Sequence, residues 1–400
     1  MTTTEPIIRL AAKGDGITET GRHAAGAVPG DSIDAEGTIT PGPHHIAPVC
    51  RHFAVCGGCQ MQHADDAVLA DFVRDRVVNA AKGQGLELEP AEVLPVHLSP
   101  PHTRRRAGLH GLRTVKGAVL GYREGGSHRV VDLAECPVLH PLLASLIAPL
   151  RGFVAAHGPK GMVGIDLTLA DQGVEANLVH FPLEGLGPTE AALDFAREHA
   201  LARLTIDQGY GPETLWEPEP VTVTLAGVPV GLPPGAFLQA TQDAECRMVA
   251  DAAEWLGDAR LVADLFAGLG TFAFGLREGR KVLAVEAERA AHLACKAAGA
   301  LAGGQVLALH RDLFRSPLEL PEVSRFDAVL LDPPRAGART QVAEIAASTL
   351  GRVVYVSCNP SSWARDAAVL TASGFRLTKL RPVGQFRWST HIELVSLFER

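Results

Sequence analysis

Leu261-Val262-Ala263-Asp264-Leu265-Phe266-Ala267-Gly268-Leu269-Gly270-Thr271-Phe272 decides the fold. Leu261 to Phe266 is an apolar run broken only by Asp264, and it leads directly into two glycines. Such a run, bounded by a turn signal, reads as a buried strand. Four more follow, Val282 to Val285, Val306 to Leu309, Ala328 to Leu331 and Val353 to Val356, with alanine-rich helical stretches between them. Apolar runs alternating with helices mark parallel strands covered on both faces. A last strand is expected over Ile392 to Phe398. Residues 236–400 therefore read as a Rossmann-like α/β domain, a mostly parallel doubly wound sheet.

Upstream the texture differs. Residues 1–45 are rich in Gly, Thr and Pro and read as a small β element. Residues 46–235 read as a β-rich central domain, with runs at Gly117 to Tyr122, Ile165 to Leu169 and Val221 to Leu225. A helix precedes them, with Val68, Leu69, Phe72, Val73 and Val77 on one face. The 400 residues carry a net charge of −8 with 20% charged and 46% hydrophobic residues. That excludes a disordered chain and a uniformly basic nucleic-acid coat. No apolar run approaches the roughly 18 residues of a membrane span, and the first residues lack the pattern of a secretion signal. Seven cysteines are too few for a disulfide scaffold, so a cytoplasmic, reduced protein is expected, with clustered cysteines read as metal ligands or nucleophiles.

In an open parallel sheet the ligand lies beyond the carboxyl ends of the strands. After the first strand, Gly268 and Gly270 allow close approach of backbone to ligand. Glu286 ends the second, 22 residues beyond Asp264, the spacing at which an acid reaches ribose hydroxyls. Asp312 follows the third and is placed to face an adenine. Only two of the three dinucleotide glycines are present, so S-adenosylmethionine, which has no pyrophosphate, fits better than NAD. The fourth strand ends in Asp332-Pro333-Pro334-Arg335, a rigid turn suited to wall a slot for a flat base. The fifth ends in Ser357-Cys358-Asn359-Pro360. A thiolate that adds to C6 of a pyrimidine makes C5 nucleophilic, and a base must then remove the C5 proton. Cys358 is the candidate nucleophile. Glu393, a carboxylate in an otherwise apolar strand, is the candidate base.

Cys50, Cys56 and Cys59 lie within ten residues, Gly57-Gly58 permits a tight turn, and Cys136 is the natural fourth member. Four thiolates suit zinc or an iron–sulfur cluster, and spacing does not choose between them.

Together these motifs resemble the RNA uracil-C5 (5-methyluridine) methyltransferases, over about residues 46–136 and 236–400. The resemblance rests on Cys50 to His63 with Cys136-Pro137, Phe237-Leu238-Gln239, Asp264 to Phe272, Asp332 to Arg335, Ser357 to Pro360 with Ala364-Arg365-Asp366, and His391-Ile392-Glu393. It implies a [4Fe–4S] cluster at the four cysteines, with zinc as the other occupant. It also implies S-adenosylmethionine contacts at Gln239, Phe266, Thr271, Glu286, Asp312 and Asp332, Cys358 as nucleophile and Glu393 as base. The ribosomal type is indicated, with 23S ribosomal RNA as the expected target and a monomer without an obligate protein partner. Transfer RNA or a non-RNA substrate, or a non-catalytic RNA-binding factor that keeps the fold, are the alternatives. Gly14 to Asp31 looks like the start of the family's small RNA-binding barrel, the TRAM domain, shortened here. Thr241, Gly384 and Arg387 depart from the family pattern, and between about 140 and 230 the likeness is thin.

Arg104, Arg105, Arg106, Arg113, Lys116, Arg123 and Arg129 face one acid, Glu124, between residues 101 and 130. In a chain of net negative charge this reads as a phosphate-binding groove. Aromatic residues are only 5%, so extended base stacking is not expected to dominate RNA affinity.

Overall fold

The computed structural model describes residues 4–400. Its largest sheet has nine strands. In the order of the sheet, Val306–His310, Lys281–Glu286, Leu261–Leu265, Ala328–Leu331 and Arg352–Ser357 are parallel. Glu393–Glu399 then enters antiparallel between Arg352–Ser357 and Arg376–Gly384. The first strand in sequence thus lies centrally, and the chain winds outward from it both ways. That leaves a crevice at the carboxyl ends of Leu261–Leu265 and Ala328–Leu331, where such sheets hold ligands. Ala328 to Leu331 are fully buried, as a strand covered by helices on both faces must be.

The edge of this sheet comes from far upstream. Glu92–Val93 and His97–Leu98 pair in parallel with Arg376–Gly384. The helix Asp66–Gly83, capped by Asp65 accepting from Val68 N (2.9 Å), buries Val68, Leu69, Phe72, Val73 and Val77. That face packs against the helix Pro360–Ala372 and the strand Arg376–Gly384. The hairpin Thr222–Leu225/Val228–Gly231 likewise joins the core of the catalytic sheet. Residues 66–98 and 221–232, grouped by the sequence with the central domain, therefore pack with the catalytic one. The hairpin also touches the end of the central sheet at Ala170 and Ala202.

The central sheet has six strands, in the order Pro212–Trp216, Arg203–Asp207, Gly173–Val179, Met162–Ala170, Arg106–Thr114, Gly117–Gly121. One face is covered by the helices Ile147–His157 and Leu186–Glu198, around Leu109, Leu150, Phe153, Phe181 and Phe195. The other face looks toward the catalytic crevice. Residues 5–40 form a separate five-stranded sheet with a core of Ile7, Ala24, Ala27 and Ile33. No helix of the described residues is long and apolar enough to cross a membrane.

Candidate active site

A cavity of about 720 Å³ opens at the carboxyl ends of the central strands. Gln239, Phe266, Gly268, Thr271, Glu286, Asp312 and Asp332 all line it. Glu286 is held by Gly268 N (2.8 Å) and Glu288 N (2.6 Å), and Asp312 by Phe314 N (2.9 Å). The rings of Phe266 and Phe314, 5.3 Å apart and tilted against each other, pack together as an apolar wall of the cavity. Gly270 is the exception among the sequence candidates. It does not line the cavity; a Cβ there would meet the Phe274 ring at 2.7 Å and Cys295 Sγ at 2.9 Å. Gly270 is required for packing and for its φ of +92°. Asp264 also turns away: its carboxylate accepts from Ala273 N (2.8 Å) and fixes the following helix.

Gln385, which the sequence did not single out, joins the site from the loop after Arg376–Gly384. Its Nε2 donates to Gln239 Oε1 (3.0 Å), its Oε1 accepts from Ala240 N (2.9 Å), and Gln239 Nε2 donates to Asp332 (3.2 Å). This buried relay fixes the amide of Gln239 between the two sides of the crevice.

Carboxylates crowd this cavity. Behind the wall, burial and then Asp332 and Glu286 push Asp264 up to about 8. Burial pushes Asp332 to about 7. Burial and the charge of Asp332 push Glu393 to about 8, while Gln385 and Arg335 work the other way. A cavity whose walls resist carrying this much negative charge favours a cationic guest. The residues present fit S-adenosylmethionine, whose sulfonium and ammonium are cations, better than a ligand bearing phosphates.

The nucleophile candidate sits at the end of Arg352–Ser357. That strand pairs antiparallel with Glu393–Glu399, with Ser357 opposite Leu394. Continuing the register by one residue brings Cys358 opposite Glu393. Both side chains line the 720 Å³ cavity and also a second one, of about 540 Å³, facing the central sheet. Cys358 is pushed to about 11 by burial, then by Glu393 and Asp332, with Arg335 opposing. Its loop is tied to the Pro333-Pro334 turn, because Asn359 Nδ2 donates to Arg335 O (2.9 Å). The fully buried Asp366 accepts from Ala338 N (2.8 Å) and Tyr355 Oη (2.7 Å).

The basic stretch divides. Arg105, 6% exposed, ion-pairs with Glu245 and donates to Gln239 O (3.0 Å). It is therefore a link between the two sheets and is not available to phosphate. Arg113 lies on the helix-covered side and donates to Gly158 O (3.2 Å). Arg104 and Arg106 line the second cavity, over the rings of Phe386 and Phe237. Arg123 is exposed on the same face. Strand alternation, invisible to a count of charges, makes this division.

Cys50, Cys56, Cys59 and Cys136 line one cavity of about 230 Å³. Burial raises the thiols of Cys56, Cys59 and Cys136, and neighbouring cysteines raise each of them further. Among the described residues, however, no three Cys, His, Asp or Glu side chains form a group that would hold a metal ion. The four-cysteine metal site expected from the sequence is thus present as a shared cavity, without a converged ligand set.

Residues 304–400 match the family model described as tRNA (uracil-5-)-methyltransferase. An uncharacterised RNA methyltransferase of Zymomonas mobilis is 51% identical over 98% of this chain and 99% of its own length. The 23S rRNA (uracil(1939)-C(5))-methyltransferase RlmD of Pectobacterium atrosepticum is 32% identical, over 90% of this chain and 81% of its own. Among solved structures, the tRNA (uracil-54, C5)-methyltransferase of Pyrococcus abyssi, in complex with S-adenosyl-L-homocysteine, superposes with a TM-score of 0.76. It covers 99% of this chain and all of that one at 21% identity, a likeness of fold. With a carboxylate-walled cavity on the crevice and a thiol at its rim, the chain belongs to the S-adenosylmethionine-dependent RNA (uracil-C5) methyltransferases.

Proposed function

We propose that the protein methylates C5 of a uridine in 23S ribosomal RNA, with Cys358 as nucleophile and Glu393 as base. The observation that carries this reading is that both side chains line both cavities, where a base entering from one side meets a methyl donor held on the other. The RlmD likeness, at 32% identity over 90% of the chain, favours ribosomal over transfer RNA.

In this mechanism the Cys358 thiolate bonds to C6 of the uracil, which leaves C5 with enolate character. When bound, S-adenosylmethionine supplies an electrophilic methyl on a sulfonium and departs as a neutral thioether. The Glu393 carboxylate takes the C5 proton, the electrons of that C–H bond re-form the C5–C6 double bond, and the C6–S bond breaks to return the thiolate. Methyl thereby replaces hydrogen, and the proton passes from Glu393 to water. Gln239, Phe266, Gly268, Thr271, Glu286, Asp312 and Asp332 hold the methyl donor, and Gln385 keeps Gln239 in place.

The test is trapping on RNA containing 5-fluorouridine. Fluorine at C5 cannot leave as a proton, so the enzyme stalls as a denaturation-resistant adduct, whose attached RNA can be sequenced. Cys358→Ala is expected to abolish both adduct and methyl transfer. Glu393→Gln is expected to slow turnover about 10²–10⁴-fold while adduct accumulates on unmodified RNA. Adduct from the Cys358→Ala protein, or attached RNA drawn only from transfer RNA, would overturn the nucleophile or the target respectively.

The same reading gives Cys50, Cys56, Cys59 and Cys136 to a [4Fe–4S] cluster, for which four thiols around one cavity are suitable donors. Its role would be structural. Iron and sulfide analysis after anaerobic purification checks it, and a zinc-loaded preparation refutes it. The sheet of residues 5–40 is assigned to RNA contact as a short TRAM-like element.

A further inference from the structure

The second cavity is larger than the target base requires. At about 540 Å³ it falls in the range of sites that enclose a drug-sized ligand. Cys358 and Glu393 occupy one end; Asp166, Thr168, Arg106 and Gly108 of the central sheet form the wall opposite.

Alternation along Met162–Ala170 sends Ile165 and Leu167 into the core and leaves Asp166 and Thr168 facing the cavity. Antiparallel pairing puts Asp166 opposite Gly108 and Thr168 opposite Arg106. A Cβ on Gly108 would stand 3.1 Å from Asp166 Oδ1, so glycine there leaves the carboxylate uncovered. Among the described residues the carboxylate has neither a hydrogen bond nor an ion pair. Arg106 is turned to Leu238 O (2.5 Å) and to the face of Phe237. A bare carboxylate repels phosphate, so the nucleic-acid group it can bind is a hydrogen-bond donor on a base edge.

We propose that this cavity takes, beside the target uridine, a second unstacked nucleotide close to it in the strand, whose base carries an amino group that donates to Asp166. Adenine, cytosine and guanine present such a group. Uracil does not, since its one N–H lies between two carbonyl oxygens that a carboxylate repels. The same argument separates Asp166 from recognition of the target itself. Arg104, which lines the same cavity, holds a neighbouring phosphate.

This inference rests on the uridine-methylating function proposed above. The test uses the RNA fragment trapped by the wild-type enzyme, with the two nucleotides on each side of the target randomised. The methylated products are then sequenced. Wild-type enzyme is expected to deplete uridine at one flanking position about ten- to a hundredfold, the discrimination of one good base contact. Asp166→Ala should level that preference and raise KM for the fragment by a similar factor, with little change in kcat. Asp166→Asn, isosteric and able to donate as well as accept, should readmit uridine. Unchanged flank preference in Asp166→Ala, or an effect confined to uracil against cytosine at the target, overturns the inference. Wild-type enzyme that methylates with no flank preference also overturns it, while the function stands. Wild-type enzyme that forms no adduct refutes the function itself.

Discussion

To serve as the proposed base Glu393 must be ionised, yet burial and Asp332 hold it near 8. For the free enzyme, kcat/KM should therefore rise with pH through about 8, as Glu393 ionises, and on toward about 11, as Cys358 does. The arriving sulfonium cation favours both Glu393 carboxylate and Cys358 thiolate, so the kcat profile should rise at lower pH than that of kcat/KM. Coincident profiles would refute this coupling. Glu393, Asp332 and Asp264 also bear on stability. All three are raised above unfolded values of about 4, to about 8, 7 and 8. Their contribution is fully present below pH 4 and is lost as pH climbs toward 8. Urea midpoints of ligand-free protein should fall over that window, less steeply in Glu393→Gln. That Cys358 and Glu393 would face the crevice was legible in the sequence, one as a thiol ending a strand, the other as a carboxylate in an otherwise apolar one. Gln385 was not, because its partner Gln239 lies 146 residues away. Asp264 was legible as an acid at a strand end but not by orientation, since only the turn geometry aims it at Ala273 N.

At the scale of elements, the turn between Leu261–Leu265 and the helix Thr271–Leu276 tolerates little. Gly270→Ala adds a Cβ into Phe274 and Cys295 and strains a left-handed residue. A loss of about 2–4 kcal/mol is expected from overpacking and strain together, read as a lower urea midpoint and weaker S-adenosylmethionine binding in calorimetry. The buried Arg105–Glu245 pair joins the two sheets. Arg105→Ala leaves Glu245 unpaired, with an expected cost of about 3–5 kcal/mol, and scanning calorimetry should register the lower melting temperature. The parallel strands were legible because burial on both faces writes an unbroken apolar run. Glu92–Val93 and His97–Leu98 were not. Two residues carry no periodicity, and their pairing partner lies nearly 290 residues downstream.

Across the whole molecule a net charge of −8 must still admit a polyanion. The face proposed for that contact bears Arg104 and the exposed Arg123. Arg123→Ala should lower the slope of log K against log salt by about 0.7–0.9, measured by filter binding. Arg113→Ala, on the opposite face, should leave that slope unchanged. The central sheet that carries this face begins at Arg106 and ends at Trp216, yet the catalytic core draws on residues both before and after it. During synthesis, then, the ribosome releases Val68, Leu69, Phe72, Val73 and Val77 about three hundred residues before the surface they pack against, Arg376–Gly384. That greasy stripe must wait out most of translation uncovered, an early customer for chaperones. The sheet that holds Cys358 likewise cannot close until Glu393–Glu399 has been made, because that strand enters between Arg352–Ser357 and Arg376–Gly384.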